Sequence, residues 1–348
     1  MAFLLSTLAD GDPKRRTVVV PSYTCYSVAA SAIRAGLDVL ACDIDESTLS
    51  YDRELLESID FDRVLAVVSA NLYGIPDDLR YLERLAAEEG VLLIDDAAQS
   101  FGATVGGRSV GSFGSAGILS LDKGKNITSM NGGIIISRDG DLCARIEKRY
   151  ASLRGTPRLA QGAELLKAAA YWFLLRPGLY WLPRKLPFLG LGKTVYDAEF
   201  PIRGYGKSLA PLAVAQLERL DDLNHHRVAT AVRYLKQLPK HPDLRTIEPA
   251  PGAEAVYLRF PLRILRARAR KRMLDACGHL GCTASYPTSI AEIPAVGPRL
   301  RVQNERYDRG MATAREIVTL PTHSFVTASD VSRICESIHL ALEDASPS

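Results

Sequence analysis

The chain has 348 residues, of which 47% are hydrophobic and 24% are charged. This balance is typical of a globular protein and excludes a disordered or collagen-like chain. With 43 basic and 40 acidic side chains, the formal net charge of +3 is too small to indicate a nucleic-acid-binding protein. The one dense basic run, residues 263–272, has no interleaved aromatic residues, so it is interpreted as a solvated helix face.

The six cysteines are scattered without a CxxC pair. This usage predicts reduced thiols in a cytoplasmic protein, with no disulfide framework and no metal site. The first residues lack a basic segment and a cleavage site, so no signal peptide is predicted. A second apolar stretch, residues 165–182, is interrupted by Lys167, Arg176 and Pro177, which makes it a poor membrane-spanning helix. A buried helix, a membrane-surface contact and a partner contact all remain open for it.

Along the first half, strand-like and helix-like segments alternate. Strands are predicted at residues 17–20, 38–42, 63–69, 91–94, 117–121 and 133–137, and helices at residues 27–35 and 76–89. Continuous apolar strands separated by amphipathic helices indicate an α/β fold with a mostly parallel sheet covered on both faces. Ligands of such sheets bind beyond the carboxyl ends of the strands. The residues that follow Ile94 and Leu121 are therefore the first place to look for a site.

The second half has a different pattern. An aromatic-rich helical segment covers about residues 150–200, and prolines break it into short pieces. A long helix is predicted over residues 211–223, with a continuation to 238, followed by a strand at 255–260 and helices at 268–280 and 329–342. We therefore predict a large α/β domain over residues 1–207, and a linking helix with a small α+β domain over residues 208–348.

The loop after the strand at 91–94 reads Asp-Asp-Ala-Ala-Gln-Ser-Phe-Gly and includes Asp96 and Gln99. A carboxylate at the carboxyl end of a strand, followed by small residues, can contact a ligand closely. Taken alone this motif is weak, because Asp at a helix N-terminus is often only a cap.

The strand at 117–121 leads into Ser120-Leu-Asp-Lys123-Gly-Lys125-Asn. A lysine in a glycine-containing turn at the mouth of a sheet has three possible roles. It is a solvated surface residue, a phosphate-binding charge, or a nucleophile activated by desolvation and neighbouring charge. The residues of this loop alone leave the three open.

The two loops together are more specific. Asp96, Gln99, Ser120 and Lys125 resemble, in type and spacing, the pyridoxal-phosphate (PLP) site of the DegT/DnrJ family of sugar aminotransferases. The resemblance continues in residues 21–45, 71–79, 92–114, 215–223 and 320–330, and is weakest between 150 and 207. It implies the PLP-dependent transferase fold type I, PLP as cofactor, and a homodimer with the site at the subunit interface.

The resemblance also implies a role for each residue. Lys125 corresponds to the lysine that forms the internal aldimine, and its spacing favours it over Lys123. Asp96 corresponds to the carboxylate that keeps the pyridine nitrogen protonated, which makes the ring an electron sink. Gln99 corresponds to the residue beside the ring that touches its phenolic oxygen, and Ser120 to a hydroxyl donor to the phosphate.

Three features depart from the family pattern. The Gly-Thr turn that holds the cofactor phosphate has no counterpart in the sequence, which predicts either a start upstream of Met1 or a weakened relative. The ring-stacking aromatic is replaced by Cys25, with Tyr23 or Tyr26 as alternatives. The asparagine that family dimers offer to the neighbouring phosphate is also missing, and Arg203 or Lys207 are candidates to supply charge there.

The resemblance implies an aminotransferase that moves an amino group, from glutamate, to a keto-sugar nucleotide in polysaccharide or glycosylated-metabolite synthesis. Family members that dehydrate sugars characteristically carry histidine in place of the lysine, so Lys125 favours transamination. The alternative is a catalytically weakened or non-catalytic relative that acts as a sugar-nucleotide-binding or partner subunit.

Overall fold

The computed structural model describes residues 1–174, 196–302 and 307–343, with the backbone alone for residues 171–174. The strands are β1 Thr17–Pro21, β2 Asp38–Cys42, β3 Val64–Ala70, β4 Leu92–Asp96, β5 Thr104–Val105, β6 Arg108–Ser109, β7 Ala116–Ser120, β8 Gly133–Ile136, β9 Leu244–Thr246, β10 Ala253–Glu254, β11 Arg259–Ile264, β12 Leu300–Arg301 and β13 Ile317–Pro321. The α-helices are α1 Ala2–Gly11, α2 Tyr26–Arg34, α3 Arg53–Glu57, α4 Leu79–Glu88, α5 Gly140–Ala151, α6 Arg158–Leu174, α7 Ala210–Leu217, α8 Leu220–Gln237, α9 Ala267–Cys277, α10 Asp308–Glu316 and α11 Ala328–Glu343.

A seven-stranded sheet in the order β12-β2-β1-β3-β4-β7-β8 forms the centre of the molecule. Its strands pair in parallel, except that β8 runs antiparallel to β7. Every residue of β1, β2 and β3 is buried, which is expected of β-branched and aliphatic strands covered on both faces. The predicted α/β fold with a mostly parallel sheet is confirmed.

Helices cover both faces of this sheet and create two hydrophobic cores. On one face α4 contributes Leu79, Leu82 and Leu85. On the other, α1 and α2 contribute side chains such as Leu5 and Ala29. The sheet is therefore held rigidly from both sides, and the loops at its carboxyl edge start from fixed points.

A second, antiparallel sheet in the order β13-β11-β9 lies in the C-terminal part. It packs with α8, α9 and α11 around a third core that includes Tyr234, Phe260, Met273 and Ile334. The division of the chain into domains at residue 207 stays a prediction.

The predicted single helix over 211–223 is wrong, because the segment forms two helices that break at Glu218 and Arg219. Both helices pack on the loop after β7. Gln216 of α7 donates a hydrogen bond to the carbonyl of Thr128 in that loop, and Leu220 of α8 is buried in a small core with Leu121 and Ile127 of the same loop.

The interpretation of residues 263–272 as a solvated helix face is wrong for Arg263. This side chain lies in β11, is only 6% exposed, and forms ion pairs with Glu46 at 3.0 Å and Glu316 at 2.6 Å. Helix α9 begins at Ala267. The strand predicted at 255–260 is displaced toward the C-terminus. The observed strand runs over residues 259–264 and includes the paired Arg263.

The predicted contact segment 165–182 lies partly in α6, and residues 175–195 are outside the described residues. Leu159 and Leu166 of α6 are 90% and 74% exposed. Within the described ranges, no helix has the length and hydrophobicity that a membrane span requires. The six cysteines are free thiols.

Candidate functional site

The predicted site residues follow three strands of the central sheet that run in the same direction. Strand β4 ends at Asp96 and its neighbour β7 ends at Ser120, while Cys25 follows β1. Since the carboxyl ends of parallel strands meet at one edge of a sheet, these loops share that edge.

Asp96 and Lys125 are brought together at this edge. The carboxylate of Asp96 accepts a hydrogen bond from the backbone N–H of Ala98 at 3.0 Å. Burial raises the pKa of Asp96, and both the Ala98 N–H and the nearby Lys125 ammonium oppose that shift. Lys125 therefore acts electrostatically on the Asp96 carboxylate, and so does the amino group of Met1. The assignment of these two residues to one site stays a prediction.

The two lysines of the loop after β7 differ in environment. Lys125 is half-buried, whereas Lys123 is exposed. Beside Lys125, the side chain of Asn126 is buried and donates to Asn224 of α8 at 3.2 Å. Asn224 in turn donates to the carbonyl of Phe101 at 2.9 Å. Helix α8 thus ties the Lys125 loop to the loop that carries Gln99, a link that the sequence analysis missed.

Asp95 differs from Asp96 although the two are adjacent. It is completely buried, and one oxygen accepts the backbone N–H groups of Gly111 at 2.6 Å and Phe113 at 3.1 Å. The other oxygen accepts from the amide of Asn71 at 2.9 Å. Burial raises the pKa of Asp95 to about 6. Its hydrogen-bonding capacity is used within the protein, so it supports the loop.

Gln99 is buried and held at both ends of its amide. Its Oε1 accepts from the backbone N–H of Tyr73 at 3.1 Å, and its Nε2 donates to the hydroxyl of Tyr286 at 2.9 Å. Tyr286 was not predicted as a site residue. Its hydrogen-bond partner, Gln99, lies far away in the sequence. The only local signal that could have indicated its role is that it is an aromatic residue before a proline.

Cys25 lies at the N-terminus of α2, with its Sγ 3.0 Å from the Ser27 Oγ. The Cys25 thiol also acts on the phenol of Tyr286 and helps to raise its pKa. The alternatives to Cys25 are engaged in packing: the hydroxyl of Tyr23 bonds to Tyr73 at 2.8 Å, and that of Tyr26 contacts Thr288. The structure therefore places Cys25 and Gln99 around one residue, Tyr286.

Ser120 is connected only locally. Its Oγ accepts the backbone N–H of Asp122 at 3.2 Å, which leaves the hydroxyl proton available to a ligand. Arg203 and Lys207 are exposed. Their segment packs on the Lys125 loop through Tyr205, whose hydroxyl donates to Ser129 at 2.6 Å.

Buried polar atoms without a protein partner lie beside the predicted residues. Three of them in the described chain are Thr24 Oγ1, Ser100 Oγ and Asn126 Oδ1. They are the sequence neighbours of Cys25, Gln99 and Lys125 respectively. A buried polar atom without a hydrogen-bond partner costs free energy of folding. Such atoms therefore indicate a place where a polar ligand supplies the missing hydrogen bonds. A carboxylate, an amide, a lysine and unpaired hydroxyls at one sheet edge fit the donor set that PLP requires.

Comparison with known proteins agrees with this chemistry. The sequence model of the DegT/DnrJ/EryC1/StrS aminotransferase family matches residues 1–163 and 207–339. GDP-perosamine synthase of Caulobacter vibrioides is 25% identical over 98% of this chain and 83% of its own length. L-glutamine:2-deoxy-scyllo-inosose aminotransferase of Streptomyces fradiae is 35% identical over 83% of this chain, but over only 63% of its own length. The solved structure of S. venezuelae DesV in complex with a ketimine intermediate has a TM-score of 0.75 at 22% identity, with 98% of this chain and 82% of that chain covered, which shows a shared fold.

Proposed function

Because the chain belongs to the DegT/DnrJ/EryC1/StrS aminotransferase family and is a PLP-dependent aminotransferase, we propose that it moves an amino group from glutamate to a keto-sugar carried on a nucleotide. The pathway that we propose is polysaccharide or glycosylated-metabolite synthesis. The observation that carries the proposal is the edge shared by the strand ends that carry Asp96 and Ser120, where Lys125 acts electrostatically on the half-buried Asp96.

In this proposal each residue has a defined task. When bound, PLP supplies an electron sink for the carbon that loses a proton. Asp96 holds the proton on the pyridine nitrogen, since a close buried anion favours the charged form of that nitrogen. Lys125 is the attachment point, and its Nζ, once released, carries the proton from one carbon to the other. Gln99, Ser120 and Cys25 orient the cofactor.

Three residues of this chain are candidates to bind the cofactor phosphate. Ser120 offers one hydroxyl donor, and the exposed Arg203 and Lys207 lie in the segment that packs on the Lys125 loop. We propose that these basic side chains supply charge to a phosphate, in the same site or across a subunit interface.

We also propose a homodimer, on the evidence of apolar surface near the site. None of the side chains of α7 is buried, although its sequence is almost entirely apolar, and Val214 and Leu217 are 54% and 47% exposed. On the edge strand β8, Ile134 and Ile136 are 40% and 39% exposed. Apolar surface of this kind typically marks a protein interface.

A second candidate for the substrates comes from the relative with 35% identity. Its name specifies L-glutamine as the amino donor and 2-deoxy-scyllo-inosose as the acceptor. The assay must therefore compare glutamate with glutamine, and a keto-sugar nucleotide with this cyclic ketone.

The test is transamination by purified protein with PLP, measured as the oxo acid released from the donor. We expect Lys125→Ala to lower the rate by about 10³-fold or more, because the general base and attachment point are lost. Lys123→Ala is the matched control and should retain the wild-type rate. Full activity of the Lys125→Ala variant would contradict the proposal. A wild-type protein that binds a nucleotide sugar without any change in the PLP spectrum would favour the non-catalytic alternative.

A further inference from the structure

Gln99 is fixed in one orientation by its two partners. The backbone N–H of Tyr73 can only donate a hydrogen bond, so the amide atom that faces it, at 3.1 Å, is the oxygen. The amide nitrogen then faces the Tyr286 hydroxyl at 2.9 Å, and the hydroxyl accepts. Among the hydrogen bonds of the described chain, this is the one that Nε2 donates. Its second N–H is therefore left for a ligand.

Both partners are presented by strained backbone. Tyr73 has a φ of 59°, and Ser285, which precedes Tyr286, has a φ of 57°. Residues other than glycine rarely adopt this left-handed conformation, and they do so mainly where the surrounding structure requires it. The two positions are joined directly, because the Tyr73 hydroxyl and the Ser285 Oγ are 2.6 Å apart. Strained backbone thus occurs at Tyr73 and immediately before Tyr286, the two residues that hold the Gln99 amide.

The ring of Tyr286 is itself locked in place. It packs against the rings of Tyr23, Tyr26 and Tyr73, with centroid distances of 6.0, 5.8 and 6.4 Å. Burial holds the pKa of the Tyr286 phenol well above its usual range, so the group stays a neutral hydroxyl. Its packing among these rings and its hydrogen bond with the Gln99 amide leave it little freedom to rotate away.

We propose that Tyr286 is a positioning residue: its hydroxyl holds the Gln99 amide so that the free Nε2 hydrogen points at the phenolic oxygen of the cofactor. This inference rests on the proposed function, in which Gln99 lies beside the cofactor ring. Without the hydroxyl, the amide rotates and its hydrogen bond to the phenolic oxygen weakens. A weaker donor leaves more negative charge on that oxygen, which then retains the neighbouring imine proton to higher pH.

The test compares Tyr286→Phe with Tyr26→Phe, since both variants keep the ring and lose one hydroxyl within the same tyrosine cluster. The Tyr26 hydroxyl bonds to Thr288 and does not reach Gln99. The measurements are the pH midpoint of the visible absorbance of the bound cofactor and the PLP dissociation constant of the apo protein. We expect Tyr286→Phe to raise the midpoint by about half a pH unit or more, and to weaken PLP binding by about threefold or more. Tyr26→Phe should leave both at the wild-type value.

A Gln99→Ala background shows whether Tyr286 acts through Gln99. We expect Tyr286→Phe to cause no further shift of the midpoint in that background. An equal shift in both tyrosine variants, or a Tyr286→Phe shift that persists without Gln99, would overturn the inference and leave the proposed function standing. If the wild-type protein has no visible PLP band at all, the proposed function fails and the inference fails with it.

Discussion

Carboxylates gather in two regions of the molecule, and their surroundings differ. A cavity of about 410 Å³ is lined by acidic side chains that include Asp52, Asp77 and Asp78. In this cavity Asp52 forms an ion pair with Arg309, and Asp78 forms one with Arg53.

Asp77, also in the cavity, is buried and accepts the backbone N–H groups of Ala70 at 3.2 Å and Asp78 at 2.8 Å. The carboxylates of Asp52, Asp77 and Asp78 are thus occupied by arginines and backbone donors. At the edge of the central sheet, Asp96 has one backbone donor, and the amines of Lys125 and of the Met1 N-terminus act on it electrostatically. Its sequence neighbourhood includes Ser100, whose buried Oγ has no partner. A buried hydroxyl without a partner occurs in both regions, Ser50 Oγ in the cavity and Ser100 Oγ at the sheet edge. The two regions therefore differ in how far arginines and backbone donors occupy their carboxylates.

The largest effect that separates the two regions is expected from Asp→Asn exchanges. Asp96→Asn removes the charge that holds the pyridine proton, so we expect transamination to fall by about 10³-fold. Asp52→Asn is the matched control in the cavity. Asn caps a helix as well as Asp does, so α3 is retained and activity should remain at the wild-type level. Equal losses in the two variants would show that the comparison is wrong.

The next effect concerns the apolar surface near the site. Val214→Asp places a charge in the proposed interface, and burying an unpaired carboxylate costs several kcal/mol, so the dimer dissociation constant should rise about 100-fold or more. Leu340→Asp in α11 is the matched control, because Val214 and Leu340 are both 54% exposed. Light scattering at micromolar concentration should detect a monomer for the first variant alone. If Val214→Asp remains a dimer, α7 does not lie in the interface.

The smallest effect distinguishes the adjacent carboxylates and is measured on the apo protein at pH 5. Asp95→Ala leaves the N–H groups of Gly111 and Phe113 and the Asn71 amide without an acceptor, so we expect a loss of about 2–3 kcal/mol in the free energy of unfolding. Asp96→Ala removes one backbone contact and should cost about 1 kcal/mol or less. A larger loss for the Asp96 variant would reverse the assigned roles.

The pH dependence of Asp95→Ala sharpens the same prediction. The pKa of Asp95 is raised from its ordinary value to about 6, so the folded state binds the proton more tightly than the unfolded state does. Proton binding at Asp95 therefore contributes stability that is complete below the unfolded pKa and is lost as the pH rises through about 6. Denaturant unfolding should show the stability difference between wild type and Asp95→Ala narrowing from pH 5 to pH 8.

The central sheet could be predicted from the sequence because its strands are continuous buried runs. The predicted strand at 38–42 has the observed bounds of β2, and the predicted strand at 63–69 differs from β3 by one residue. The predicted family is confirmed as well. The strand pattern and the family motifs are local in sequence, which is why they could be read without a structure.

The parts that could not be predicted depend on contacts between distant residues. The break between α7 and α8 lies where both helices pack on the loop after β7, through Gln216 and Leu220. Asp96 and Lys125 follow strand ends and so carry a local signal. Asn224 carries no such signal and Tyr286 only a weak one, because their roles arise when the C-terminal half folds onto the loops of the central sheet.

The central claim is that the amine at position 125 attaches the cofactor next to the carboxylate at 96. The most direct test is to incubate the purified protein with PLP, reduce it with borohydride, and locate the added mass on proteolytic peptides that separate Lys123 from Lys125. The account predicts that the reduced cofactor is found on Lys125. Label on Lys123, or on no lysine of this loop, would contradict it.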